Sequence, residues 1–196
     1  MTRAYVFFPA LLLLAAGLIG VSLLPVWRPA PRGAVGFAEP GRIDVSGPAL
    51  NRLEIGPGAA VKFEGQGGRR SAIASAYTPQ TSGATRENAA YLPVSESAAY
   101  QLAGARIRIR VLARPDRRRP TARFALGYRA GPDGVGGWMD FAPEPGADFT
   151  WYATEYEVPA QHAERDTLSD FVAIWADQDG LGRALEIRAI VVERLG

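Results

Sequence analysis

Residues Arg106 to Ala113 read RIRIRVLA, with arginine and branched apolar side chains in strict alternation. A period of two belongs to a β-strand and not to a helix, because successive strand side chains point to opposite faces. Ile107, Ile109, Val111 and Ala113 therefore share one face, and Arg106, Arg108 and Arg110 share the other. The next run obeys the same rule, with Ala122, Phe124, Leu126 and Tyr128 on one side and Arg123, Ala125, Gly127 and Arg129 on the other. Further β-prone runs occupy residues 42–45, 51–55, 60–64, 72–77, 89–94, 149–158, 171–176 and 185–194, separated by clusters rich in Gly, Pro and Asp. No long amphipathic helix interrupts them. The pattern predicts an all-β sandwich of about eight to ten strands over residues 41–196.

Residues 4–27 carry no charged side chain, and the run stops at Arg28 and Arg32. At ~1.5 Å per residue such a stretch is long enough to cross a ~30 Å hydrocarbon core as one helix. A cleaved secretory signal has a shorter apolar region, usually ~7 to 15 residues, and ends in a small-x-small site. Here the exit is Val26, Trp27 and Arg28. The expectation is a single N-terminal transmembrane helix, with Tyr5 and Trp27 suited to the two interfaces. Residues 28–40, with Pro29, Pro31, Gly33, Gly36 and Pro40, read as a short stalk. The amino terminus plus Arg3 on one side roughly balances Arg28 plus Arg32 on the other, so charge does not set the orientation. A domain on the periplasmic side of a bacterial inner membrane is the favoured arrangement. With no cysteine in the chain, disulfides say nothing about the redox compartment.

Lys62 is the only lysine among 22 basic residues, and the formal net charge is +2. Arginine usage of this kind resembles a high-GC coding bias, and a charge near balance with no recognition module does not point to nucleic acid. GPGAA at Gly56 to Ala60 and GQGG at Gly65 to Gly68 lack the lysine and the helix of a phosphate loop. Catalysis is poorly provided for. His162 is the single histidine, so any Ser-His-Asp or Cys-His arrangement would rest on it, and PAQHAERD reads as a polar loop. The usual zinc sets are lacking. Paired carboxylates can cleave a glycosidic bond, but nothing brings two of Asp140, Asp148, Glu155 and Glu157 to one cleft. Asp177, Asp179, Gly180 and Gly182 form a DxDGxG step that lacks the later ligands of a calcium loop and reads as a turn. No enzyme, cofactor or metal is expected.

Like charges facing each other across paired strands are unfavourable, so the arginine face needs neutralising partners. If the runs from Arg106 and Ala122 pair in sequence, five arginines converge on one solvent face. Downstream, Trp151, Glu155 and Glu157 share a face opposite Tyr152, Tyr156 and Val158, and residues 185–194 add Glu186 and Arg188 against Ile187, Ala189 and Val191. In that last run Ile190 and Val192 break the alternation. Cross-strand Arg–Glu pairing is one reading of this face. A basic groove for an acidic glycan is the other. The connection Pro115-Asp116-Arg117-Arg118-Arg119-Pro120 adds a basic segment at one end.

The succession YLPVSESAAYQLAGARIRIRVLAR, RFALGYRAG, GWMDF, WYATEYEVP and DFVAIWADQDGLGRALEIRAIVVERL, over about residues 89–195, resembles the galactose-binding-domain-like jelly rolls used as carbohydrate-binding modules. The resemblance implies a jelly-roll β-sandwich whose sugar ligand stacks on aromatics of a concave face or of the loops at one end. Trp138 and Trp151, with the Arg106, Arg108 and Arg110 face, are the binding candidates, whereas Trp175 alternates with Phe171 and Ala173 in the most apolar run and reads as core. Two functions follow as expectations. One is a membrane-anchored, non-catalytic glycan-binding module of an exopolysaccharide or cell-envelope system. The other is an envelope scaffold that holds a protein partner by the same face or by a sheet edge.

Overall fold

The computed structural model describes residues 32–80, 89–130, 135–160 and 170–195. The expected anchor at residues 4–27 and His162 lie outside the described residues. Among the described residues no helix is long and apolar enough to cross a membrane.

Among the described residues eleven strands form two antiparallel sheets. The first contains β1 (Arg42–Ser46), β3 (Ala59–Glu64), β4 (Ser71–Ala76), β6 (Arg106–Pro115), β9 (Thr150–Glu157) and β11 (Ala184–Leu195). Its order is β3-β4-β11-β6-β9, with β1 also paired to β11. The second contains β2 (Glu54–Ile55), β5 (Ala90–Pro93), β7 (Phe124–Arg129), β8 (Val135–Phe141) and β10 (Phe171–Trp175), in the order β2-β5-β10-β7-β8. From β4 onward the chain passes to the opposite sheet at every connection except β7 to β8. This is a jelly-roll sandwich, with Ile107, Ile109 and Val111 of one sheet packed in the same core as Leu126, Val172 and Ile174 of the other.

Several sequence expectations are corrected here. The runs from Arg106 and Ala122 do not pair, because β6 and β7 lie in different sheets, so their five arginines do not converge. β6 instead lies between β9 and β11. Residues 51–55 form no full strand: Gly47–Arg52 is a 3-10 turn and β2 is two residues long. Strand β8 is additional, since its Gly-rich start masks any alternation. A helix α1 (Glu96–Leu102) also interrupts the strands, started by the Ser95 hydroxyl, which accepts the Ala98 N–H at 3.3 Å, and buried through Ala98, Ala99 and Leu102. β7 is buried on both faces, Ala125 and Gly127 included.

The irregular alternation of β11 has a geometric cause. Its register against β6 shifts between Ile187 and Ala189, leaving Arg188 as the extra residue of a β-bulge. The inward phase therefore runs Leu185, Ile187, then Ile190 and Val192, all fully buried. Ala189 and Val191 fall on the outer face with Glu193, opposite to their predicted side, and are covered there. Part of the expected stalk also joins the sandwich: Val35 is buried, donates its N–H to the Pro93 carbonyl at 2.8 Å and accepts from the Ser95 N–H at 2.6 Å.

Candidate functional site

The outer face of the first sheet carries a ladder of ion pairs because strand register brings odd-spaced carboxylates opposite even-spaced guanidiniums. Arg108 of β6 lies opposite Glu155 of β9 on one side and Glu193 of β11 on the other. Glu155 takes Arg106 at 2.6 Å and Arg108 at 2.7 Å, and Glu193 takes Arg42 at 2.8 Å and Arg110 at 2.7 Å. Arg114 binds Glu186 at 2.7 Å, and the Ser71 hydroxyl donates to the same carboxylate at 2.9 Å. Cross-strand pairing thus occupies Arg106, Arg108 and Arg110. These pairs are partly exposed, so each contributes only about 0–1 kcal/mol.

The Arg108 hydrogen bond, then the charges of Arg106 and Arg108, hold the Glu155 carboxyl below the usual glutamate range against a smaller opposing effect of burial. A carboxylate with a depressed folded pKa stabilises the fold above its unfolded value, ~4.3, and the benefit is lost as pH falls through the lower folded value. The melting temperature of Glu155→Gln should therefore fall less than that of the parent chain between about pH 5 and about pH 3. Identical acid profiles would remove Glu155 from the ladder's pH response.

Beside the ladder runs an aromatic strip. Trp151 of β9 lies opposite Leu112 of β6 and is 45% exposed, with the Arg110 guanidinium 5.3 Å from its ring centroid. Phe149, two residues earlier and in the same phase, is flanked by Arg114 at 4.4 Å and Arg188 at 3.9 Å. Arg188 shares this face with Glu186, two residues before it on β11. The strip opens at its end onto a cavity of about 190 Å³ whose walls include Arg114, Asp116, Arg117, Ala147 and Asp148. The guanidiniums lie over the rings, so a pyranose would stack its C–H face on the open part of Trp151 while its hydroxyls meet the guanidinium N–H groups around it. Alternation in the sequence set Arg188 on the face of Glu186, whereas Phe149 and Arg114 were not singled out, although each stands an even number of residues from Trp151 and Arg106 respectively.

Trp138 does not join this site. It lies on β8 of the second sheet, half-buried and edge-on to Trp175 at 5.8 Å, beside Ala76, Ala89 and Ala125. Its indole N–H has no partner among the described residues. Trp175 is fully buried, as its alternation predicts. Of the tyrosines placed near connections, Tyr77 and Tyr100 are exposed, while Tyr91 packs on Phe171 at 5.4 Å. The DxDGxG step is a turn, with the Asp177 carboxylate accepting the N–H groups of Leu181 at 2.8 Å and Arg183 at 3.0 Å. Among the described residues no group of three or more His, Cys, Asp or Glu is placed to hold a metal.

No family model matches the chain, and neither does any curated protein. The solved structures that match include carbohydrate-binding modules and an α-L-arabinofuranosidase. A Clostridium thermocellum endo-1,4-beta-D-xylanase fragment joining a family 22 carbohydrate-binding module to its family 10 catalytic module, solved with xylohexaose, is 14% identical, with a TM-score of 0.45. The match covers 80% of this chain and 26% of that one. A tandem of family 22 modules from a Paenibacillus barcinonensis xylanase is 10% identical over 73% of this chain and 40% of that one, with a TM-score of 0.49. The chain thus spans less than half the length of these two. A family 22 xylan-binding domain is 13% identical over 74% of this chain and 88% of its own, with a TM-score of 0.46.

Proposed function

We propose that the domain is a non-catalytic carbohydrate-binding module that lays a polysaccharide across Trp151 and Phe149 on the outer face of the first sheet. The observation that carries this reading is the exposed Trp151 ring with the Arg110 guanidinium over it, next to Phe149, which has Arg114 and Arg188 over its ring. The similar structures include proteins described as binding xylan. In this reading Trp138 supports the second sheet and takes no part in binding. Residues 4–27 would tether the module to a bacterial inner membrane, with residues 28–40 leading to a periplasmic domain that serves exopolysaccharide or envelope assembly.

The test is affinity electrophoresis of the full chain in neutral detergent against a panel of neutral and acidic polysaccharides. Trp151→Ala should weaken binding by about 1–3 kcal/mol, by analogy with aromatic stacking of bases, and leave the melting temperature nearly unchanged. An unaltered affinity would retire Trp151. One observation favours a protein scaffold instead: β9 is an edge strand with eight residues available to pair with another chain. A folded chain that binds no polysaccharide would leave that reading in place.

A further inference from the structure

The arginines that were expected to read an acidic ligand are occupied, and the unoccupied ones lie elsewhere. Arg106, Arg108, Arg110 and Arg114 each have a carboxylate within 2.7 Å. Arg117, Arg118 and Arg119, in the turn after β6, are all exposed and have no carboxylate in ion-pair range among the described residues. The nearest acid in sequence, Asp116, is committed to the backbone, its carboxylate accepting the N–H groups of Arg118 at 3.0 Å and Arg119 at 2.9 Å.

The turn is also held in shape from both sides. Pro115 and Pro120 bracket it, the Asp116 N–H donates to the Ala184 carbonyl at 2.9 Å, and the Ala184 N–H donates to the Arg119 carbonyl at 2.7 Å. The Tyr77 hydroxyl is held below the usual phenol range by hydrogen bonds with Ser75 first and Arg119 second, and the Tyr77 ring lies against Gly182. The Arg117 and Arg118 guanidiniums are thus displayed, with Arg119 also meeting the Tyr77 hydroxyl, on a backbone that has little ordering left to do, which lowers the entropic cost of engaging a ligand.

The turn continues the aromatic strip. Arg117 lines the 190 Å³ cavity together with Asp148, the neighbour of Phe149. We propose that the Arg117–Arg119 turn is an anion subsite that makes the module select acidic polysaccharides, binding the carboxylates of a uronate-bearing chain whose rings lie on Phe149 and Trp151. A guanidinium fork matches a carboxylate in two parallel hydrogen bonds, which a neutral sugar does not supply. The formal charge of +2 over the whole chain means that this preference is local and does not arise from a general attraction to polyanions. The turn also lies at the far end of β6 from Arg106 and Arg42, ~30 Å along the strand, with no apolar side chain other than the two prolines to enter a lipid surface.

This inference rests on the carbohydrate-binding reading, and its test separates the two. The full chain in neutral detergent is titrated with polygalacturonate and with neutral xylan at about 50 mM and about 500 mM NaCl, concentrations that differ several-fold in screening. Polygalacturonate should bind at least ~10-fold tighter than xylan at low salt, the gap closing at high salt. Arg117→Gln with Arg118→Gln should remove that preference and leave xylan affinity and melting temperature unchanged, since the Asp116 caps are to the backbone. Binding of xylan with no preference for polygalacturonate overturns the inference and leaves the carbohydrate reading standing. A double variant that keeps the preference overturns it as well. So does tight binding of phosphatidylglycerol vesicles or duplex DNA through the same two arginines. No binding of either polysaccharide by the folded chain removes both readings together.

Discussion

Replacing Trp175 by Ala should cost about 3–5 kcal/mol of folding stability, the largest single loss expected in this domain. The indole is fully buried at the end of β10, meets Trp138 edge-on at 5.8 Å, and donates its N–H to the Asp177 carbonyl at 3.0 Å. Its buried neighbours are Ala76, Ala89 and Ala125, whose short side chains have no reach to fill the vacated volume. The cost thus combines lost transfer energy, a residual cavity and a carbonyl left without its donor. Urea unfolding followed by circular dichroism measures it. Trp175→Phe keeps most of the volume and should lose about half as much. A loss under ~1 kcal/mol for the alanine variant would mean that the second sheet collapses around the site far more readily than its close packing implies.

Asp177→Ala should follow, at about 2–4 kcal/mol. Its carboxylate is buried and closes the connection from β10 to β11 by accepting the Leu181 and Arg183 N–H groups. Deleting it strands donors whose native geometry holds the turn. The same turn carries Asp179, which binds Arg123 at 2.7 Å and Arg183 at 3.3 Å, and Gly182, at a φ of +71°. A side chain at Gly182 would run into the Tyr77 ring, so the ring and the turn fit only with glycine there. Amide hydrogen exchange gives the specific readout, because Leu181 and Arg183 should lose protection before the strands do. Asp177→Asn retains an acceptor oxygen and should recover part of the loss. If those two amides exchange no faster in the alanine variant, the carboxylate is not what closes the turn.

Both positions bear on binding as well as stability. Ala184, the residue that clamps the Arg117–Arg119 turn, follows directly from the Asp177 loop, and the Arg119 carbonyl depends on the Ala184 N–H. Loosening the loop should therefore weaken acidic-polysaccharide binding before it affects stacking on Trp151, which stands on β9 and is held through β6.

Much of the candidate surface was legible from residue order. The phase of residues 149–157 set Trp151, Glu155 and Glu157 on one face, and each is on the outer face. The arginine spacing of β6 likewise gave a charged face that needed partners, and Glu155 is one of them. Trp175 was readable as core from the apolar run around it. Other features left no local signal. A bulge at Arg188 adds one residue against β6 and moves Ala189 and Val191 to the outer face. The strand β8 was obscured by Gly136 and Gly137, and its Trp138 was grouped with Trp151 although the two rings belong to different sheets.

What residue order alone determined is most of the strands, β8 apart, and the two faces of β6 and β9, because side-chain alternation is dictated by the extended backbone of each strand by itself. Which faces meet was decided by the tertiary structure. Arg108 and Glu155 are 47 residues apart, and Arg110 and Glu193 are 83 apart. No local preference selects such pairings. They follow from closing two sheets around one core, where the shared burial of Ile107, Val111, Leu126 and Ile174 sets the strand order and leaves the outer charges to pair in the register that results. The same closure uses the β6 arginines as internal counterions, whereas Arg117 and Arg118, in a connection outside both sheets, stay exposed with no ion-pair partner among the described residues.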